Sequence, residues 1–383
     1  MIENSASSSS AARSIKIFLC GDVMTGRGID QILPHPSDPE IHEGVMCSAL
    51  GYVSLSERAH GSIDRPVPFE YIWGDASNTL EREAPQARVV NLETSVTTSD
   101  DWLPKGINYR MHPDNVACLT AAGIQGCVLA NNHVLDWGRE GLAETLQVLR
   151  DAGIRTAGAG RDLAEARLPA RRSPPGGAAR VLVLALGTES SGIPFDWAAG
   201  PSRSGVNLLP QLSDRAVCAI ASEVEQFKRP NDVVIASIHW GGNWGYDIPS
   251  SHQQFARKLI DEAGVDIVHG HSSHHPQGIE LYRGHVILYG AGDFINDYEG
   301  IGGHRRFRGE LSLMYLPQVE PSSGRLLKLR MVPLRMRRLR LERAERDDAA
   351  WLRDMLARES APFGVRVALV EDEGARGWVL EAA

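Results

Sequence analysis

From residue 15 onward, short apolar runs alternate with stretches that place apolar side chains at three- and four-residue spacing. Short runs bounded by turn residues read as strands and the 3.6-residue period reads as helix, so the alternation predicts α/β architecture. Strands are predicted at 15–20, 88–92, 126–130, 181–186, 233–238, 265–268 and 286–289, and helices at 75–83, 113–122, 141–152, 213–227 and 252–263. Beyond Asp297 the pattern changes: 310–316 and 326–341 alternate like antiparallel strands, and 349–358 is helical. Residues 1–14, rich in Ser and Ala, read as a disordered start, and Pro174-Pro175-Gly176-Gly177 as a turn. The long stretch 28–65, with Pro34, Pro36, Pro39 and Gly51, reads as an inserted lobe or lid. The expected organisation is a disordered 1–14, a metal-binding domain over 15–317 carrying that insertion, and a C-terminal β/α extension over 318–383 packed on it.

A positional regularity stands out. Asp22, Glu93, Asn132, His239, His269 or His271, and Asp293 all fall just past the carboxyl end of a predicted strand. In open α/β sheets that edge forms the ligand crevice. Asp and Asn are also common turn and cap residues, which is the bland alternative for each position taken alone. Six metal-capable groups on one rim point to a site.

Composition narrows the class. Lys and Arg number 40 against 48 Asp and Glu, a net charge of −8, which argues against nucleic-acid binding. Five cysteines without CxxC spacing indicate reduced thiols and a cytoplasmic protein. No stretch approaches the roughly 18 apolar residues of a membrane span, so no anchor is expected. The arginines at 335, 337, 338, 340, 343 and 346 read as a solvated strand face, with an acidic substrate as the alternative.

The 13 histidines carry the chemistry. His269-Gly270-His271-Ser272-Ser273-His274-His275 places four of them in seven residues behind a buried-type strand. Together with Asp22, Glu93, Asn132 and His239 they form a mixed nitrogen and oxygen donor set suited to a divalent ion. Acid/base pairs suggested by spacing are His133 with Asp136, His271 or His274 with Asp22, and His304 near Asp293 and Asp297. Gly302-Gly303 before His304 allow a mobile loop. Trp137, Trp240 and Trp244 are candidates to bind an apolar part of the substrate, or else pack the rim.

The segments GDVMTGRG, NLETSVT, LANNHVLDWG, SIHWG and GVDIVHGH, followed by QGIELYRGHVILYGAGDFIND, resemble the CapA family, named for poly-γ-glutamate capsule biosynthesis. Their order is similar to the calcineurin-like metallophosphoesterase signature. The resemblance covers about residues 15–298 and implies an α/β fold with a central β-sandwich flanked by helices and a metal site at the strand ends. It implies Asp22, Glu93, Asn132, His239 and His271 as metal ligands and His133 as the neighbouring acid/base or orienting histidine. Two departures matter. Met24 stands where the family's Asp-x-His has histidine, and Gly-His-x-His is stretched to Gly270-His271-Ser272-Ser273-His274. With one ligand lost, one divalent ion (Ca, Mn, Mg or Zn) is favoured over two. The chain also resembles the soluble lasso-peptide epimerase subset. The expected function is therefore a metal-dependent acid/base enzyme on a peptide, foremost an epimerase, with Asp22, His133, His271, His274 and His304 as catalytic candidates. The alternatives are a poly-γ-glutamate biosynthesis protein, a metal-dependent hydrolase of a phosphoester or γ-linked amide, or a module that only binds a carboxylate polymer.

Overall fold

A computed structural model describes residues 14–174, 179–372, 374 and 377–383. All but Ser14 of the expected disordered start, and most of the expected turn at 174–177, lie outside the described residues. Among the described residues two large sheets dominate a mixed α/β fold. The first has Ile15–Val23 at its centre, flanked on one side by the parallel strands Ala87–Leu92, Gly126–Val128 and Arg155–Ala157. On the other side the antiparallel strands Leu311–Val319, Leu326–Arg337, Trp378–Ala382 and Val367–Glu371 continue it. The second sheet runs Leu208–Leu209, Val181–Thr188, Val233–His239, Ile267–His271, His285–Leu288 and Ile279–Tyr282, parallel except at the last strand.

Strand alternation explains how the sheets meet. Side chains two apart share a face, and Ile15, Ile17 and Leu19 pack in one core with Val181, Val183, Ala185, Val233 and Ile235 of the other sheet. The intervening Phe18 and Cys20 face a different core with Leu80, Leu142 and Leu146, while Leu182, Leu184 and Leu186 pack under Asp214–Phe227 and Ser250–Ala263. Sheet lies on sheet, with helices outside.

Several boundaries differ from the sequence expectation. The single run at 326–341 is a hairpin, Leu326–Arg337 with Arg340–Arg343, because Arg338 and Leu339 both adopt φ +54° and turn the chain. The helix at 113–122 opens as a 3₁₀ turn at Pro113–Val116 before Ala117–Ala121. The insertion 28–65 carries the helices Gly28–Ile32 and Leu50–His60. Arginines of the basic stretch are largely ion-paired: Arg335 to Asp348 at 3.2 Å, Arg340 to Glu342 at 2.6 Å and Arg343 to Asp372 at 3.0 Å.

The central strand is irregular where it matters. Its register with both parallel neighbours shifts next to Asp22, as at the bulges that re-aim side chains near active sites. Asp22 N–H donates to the Gly292 carbonyl at 3.0 Å, and a Cβ on Gly21 would lie 1.6 Å from that same oxygen. Gly21→Ala is therefore expected to cost at least about 3 kcal/mol, because backbone must move. Thermal melting checks this; an unchanged midpoint would contradict the close approach.

Candidate active site

Both sheets end their parallel strands at one rim. Asp22 lies near the end of Ile15–Val23, Glu93 follows Ala87–Leu92, and Asn131, Asn132 and His133 follow Gly126–Val128. His239 and His271 are the last residues of adjacent strands and face each other in register. Asp293 opens a short strand paired with Asp22. Two groups of ligand-type atoms lie within 4.8 Å of one another: Asp22, His239 and His271, and Asp22, His274 and Asp293.

A hydrogen-bond chain assigns the protons in the first group. His269 Nε2–H donates to the Cys20 carbonyl at 2.9 Å, so its Nδ1 accepts the Ser237 hydroxyl at 3.0 Å. The Ser237 oxygen then accepts His271 Nε2–H at 2.9 Å, and Asn132 Oδ1 accepts His239 Nε2–H at 3.0 Å. That leaves the two Nδ1 atoms of His239 and His271 bare and 2.7 Å apart, with Asp22 Oδ1 3.9 Å from His271 Nδ1. Facing lone pairs repel unless a cation lies between or beside them. Burial pulls both rings well below their ordinary pKa, so neither supplies the missing proton at neutral pH.

The carboxylates are equally unsettled. Burial and the nearby Asp293 raise the Asp22 carboxyl to about 7, against hydrogen bonds such as Asn91 Nδ2–H at 2.7 Å. Burial and then Asp22 push Glu93 well above the carboxylate range, and its buried Oε2 has no hydrogen-bond partner among the described residues. An orphaned carboxylate oxygen and two bare imidazole nitrogens are a donor set for a divalent ion. Ser272, at φ +99°, reaches Asp22 Oδ2 with its N–H at 3.3 Å, a strained backbone held at the rim.

Two histidines with carboxylate partners flank this group. His133 Nδ1–H donates to Asp136 Oδ2 at 2.6 Å, leaving Nε2 bare and 3.8 Å from Glu93. Burial lowers its pKa to about 4, only partly offset by Asp136. Lys105 fixes Asp136 from the other side at 2.7 Å and also donates to the Asn132 carbonyl. His274 Nδ1 pairs with Asp293 Oδ1 at 2.8 Å; burial opposes its charge, but Asp293 and Asp22 raise its pKa above the ordinary value.

The sequence candidates separate in space. Asn132 stands one step back, holding His239. His269 is bonded to Cys20 and Ser237 and supports the cluster from behind. Trp240 and Trp137, expected to touch substrate, are each only 3% exposed. Trp240 stacks on His252 at 4.4 Å and donates to the Tyr289 carbonyl; Trp137 donates to the Tyr109 carbonyl beneath the Arg110 guanidinium. Both are packing residues. Trp244 lines a cavity of about 820 Å³ together with His274, Tyr298 and His304. The expected approach of His304 to Asp293 or Asp297 is not formed: its ring lies flat on Trp244 at 4.2 Å, and Asp297 binds Arg27 instead. Met24 is buried and its sulfur meets the Tyr298 hydroxyl at 3.5 Å. Lys105, Asn91 and Ser237 went unrecognised in the sequence. Asn91 and Ser237 did leave a signal, as polar residues inside buried apolar strands; Lys105 in its loop left none.

Residues 16–298 match the family described as bacterial capsule synthesis protein PGA_cap. The chain belongs to this family. It is 50% identical over 92% of its length to a probable polyglutamine synthesis accessory protein of Mycobacterium tuberculosis, covering 93% of that protein. It is 31% identical to the PGA biosynthesis protein CapA of Bacillus subtilis over 54% of this chain and 52% of that one. The capsule biosynthesis protein CapA of Bacillus anthracis is 24% identical over 74% and 60%. The capsule synthesis family is thus the resemblance the motifs implied, while these relatives lend no support to the lasso-peptide epimerase subset. No helix among the described residues is long and apolar enough to cross a membrane.

The buried histidines also predict a pH dependence. Burial lowers His133, His252, His269 and His275 from 6.5 to about 4. The unfolded chain therefore binds more protons between those values, and their contribution to stability, full above pH 6.5, is lost as pH falls toward 4. Each is expected to cost about 1 kcal/mol by pH 5.5. The raised Asp22 and Glu93 carboxyls titrate with the opposite sign over the same range, so the clean readout is His252, outside the cluster: His252→Gln should lose less melting temperature than wild type between pH 7.5 and 5.5, and an equal loss would contradict its burial.

Proposed function

We propose that this PGA_cap protein is a metal-dependent enzyme of glutamate-polymer synthesis, acting by acid/base chemistry on an amide bond of an acidic chain. The observation that carries the reading is the pair of bare Nδ1 atoms of His239 and His271 beside Asp22, with a histidine–aspartate pair on either side. The name of one relative, a PGA biosynthesis protein, supports the substrate class; the 50% identical relative is named for polyglutamine synthesis, a related polymer with neutral side-chain amides. The two sheets stacked face to face with chemistry at their strand ends support a metallophosphoesterase-like fold.

Asp22, His239 and His271, with Glu93 beside them, would hold one divalent ion. The second group, around His274 and Asp293, is already satisfied by a shared proton. A bound ion supplies positive charge that polarises a carbonyl and makes a bound water more acidic. His133, with its Nδ1 proton held by Asp136, presents Nε2 as the base that takes a proton from the attacking water or amine. His274 lines the cavity and is held at Nδ1 by Asp293, so its Nε2 is free to give a proton to the departing amine. The amide C–N bond breaks, the nucleophile's oxygen or nitrogen takes its place on carbon, and the proton count balances between the two histidines.

The test is incubation of purified protein, divalent ion and γ-linked glutamate polymer in D₂O, followed by mass spectrometry. Shortened or transferred chains are expected. Cα deuteration without change of length would instead return the reading to epimerisation, and an unchanged polymer across a panel of ions would overturn both.

A further inference from the structure

The 820 Å³ cavity that His274 lines is also lined by residues outside the acid/base groups. Its mouth gathers three exposed aliphatic side chains from three separate segments: Val45 of the inserted lobe, 93% exposed, Ile107 at 45%, and Ile301 at 46%. Single exposed apolar residues are ordinary, but three converging on one cavity form a contact surface. The cations there are mostly neutralised within the protein. Arg27 binds Asp297 and Glu43, Arg308 binds Glu310 and Asp348, and Arg335 binds Asp348. Arg305 is the exception: among the described residues it pairs with no carboxylate. It directly follows His304, at φ +37°, whose ring is stacked on Trp244 at an interplanar angle of 6°.

We infer that Arg305 is a specificity-determining residue that takes a free carboxylate of an amide-linked chain, while Val45, Ile107 and Ile301 cover the chain's methylene stems. The inference rests on the acidic-polymer reading above. It adds where the polymer lies and which residue distinguishes it from a neutral chain. The cavity is at the large end of the roughly 300–1,000 Å³ of ligand pockets, which fits a run of residues whose reacting amide reaches His274. His304 acts through the stack on Trp244 as a positioning residue for Arg305, in place of the direct acid/base role expected from the sequence.

Binding is read without turnover, in chelator-treated wild-type protein and in a His271→Ala background, using a labelled γ-linked glutamate oligomer and the same oligomer with its free carboxylates amidated. Arg305→Gln should weaken the acidic oligomer about tenfold, the loss of one charge-assisted contact, and leave the amidated one unchanged. Arg305→Lys should restore part of the loss. Changing Val45, Ile107 and Ile301 together to Ser should weaken both oligomers alike. Equal affinity of wild type and Arg305→Gln for the acidic oligomer, or an equal loss for both oligomers, overturns the assignment. Arg305-dependent binding without any turnover in active protein would remove the proposed reaction and leave the subsite standing. Normal turnover with unchanged KM in Arg305→Gln would do the reverse.

Discussion

His133→Ala is expected to lower turnover of a γ-linked glutamate polymer by about 10²–10⁴-fold with metal content unchanged. The ring is held by Asp136 at 2.6 Å and sits beside the ligand-type cluster without a place in either group of converging ligand atoms. Removing it deletes the base while Asp22, His239 and His271 stay in position. Asp136→Asn should fall in the same range with His133 intact, because an amide can donate to Nδ1 and so leave the proton on Nε2, where the base must be bare. Lys105→Met should be milder, about tenfold, since it supports Asp136 from outside. Steady-state rates and elemental analysis on the same preparations separate these cases. Loss of metal in His133→Ala would place that residue among the ligands.

His271→Ala should abolish both metal retention and turnover, the larger of the two effects. His271 carries one of the two facing Nδ1 atoms, and its Nε2 ties the cluster to Ser237 and, through it, His269. Deleting the ring takes away a ligand and unseats the tautomer chain that keeps the remaining nitrogen bare. His274→Ala provides the contrast: it should lose activity by about 10²-fold or more and keep the ion, because Asp293 and His274 already share a proton.

Strand-end geometry was legible in the sequence because parallel strands deliver residues to one edge whatever their sequence separation. Asp22, Glu93, His239 and His271 could be placed there by reading only where apolar runs stop. The irregular parts were not legible. The hairpin at 338–339 depends on two non-glycine residues with positive φ, which no apolar pattern encodes. Trp137 and Trp240 sit beside site motifs in the chain, yet both are buried, Trp240 in the core under Ser250–Ala263 and Trp137 against Arg110 at the start of a helix, since adjacency along the chain does not fix where a side chain points. Met24, read as a departure at the first strand, is buried with its sulfur against the Tyr298 hydroxyl. Asp293 was read onto the same rim, but the sequence did not show that a short parallel strand sets it alongside Asp22 or that it pairs with the displaced His274. Arg305 was hidden for a different reason: its significance lies in lacking the carboxylate partner that the other arginines lining the cavity, Arg27, Arg308 and Arg335, have.

The claim that everything else leans on is that the bare nitrogens of His239 and His271 beside Asp22 hold a divalent ion. Elemental analysis of protein purified without chelator tests it most directly. One equivalent per chain, lost in His271→Ala and retained in His274→Ala, is the predicted result; protein that takes up no divalent ion, or a His271→Ala variant that keeps its full complement, would contradict it.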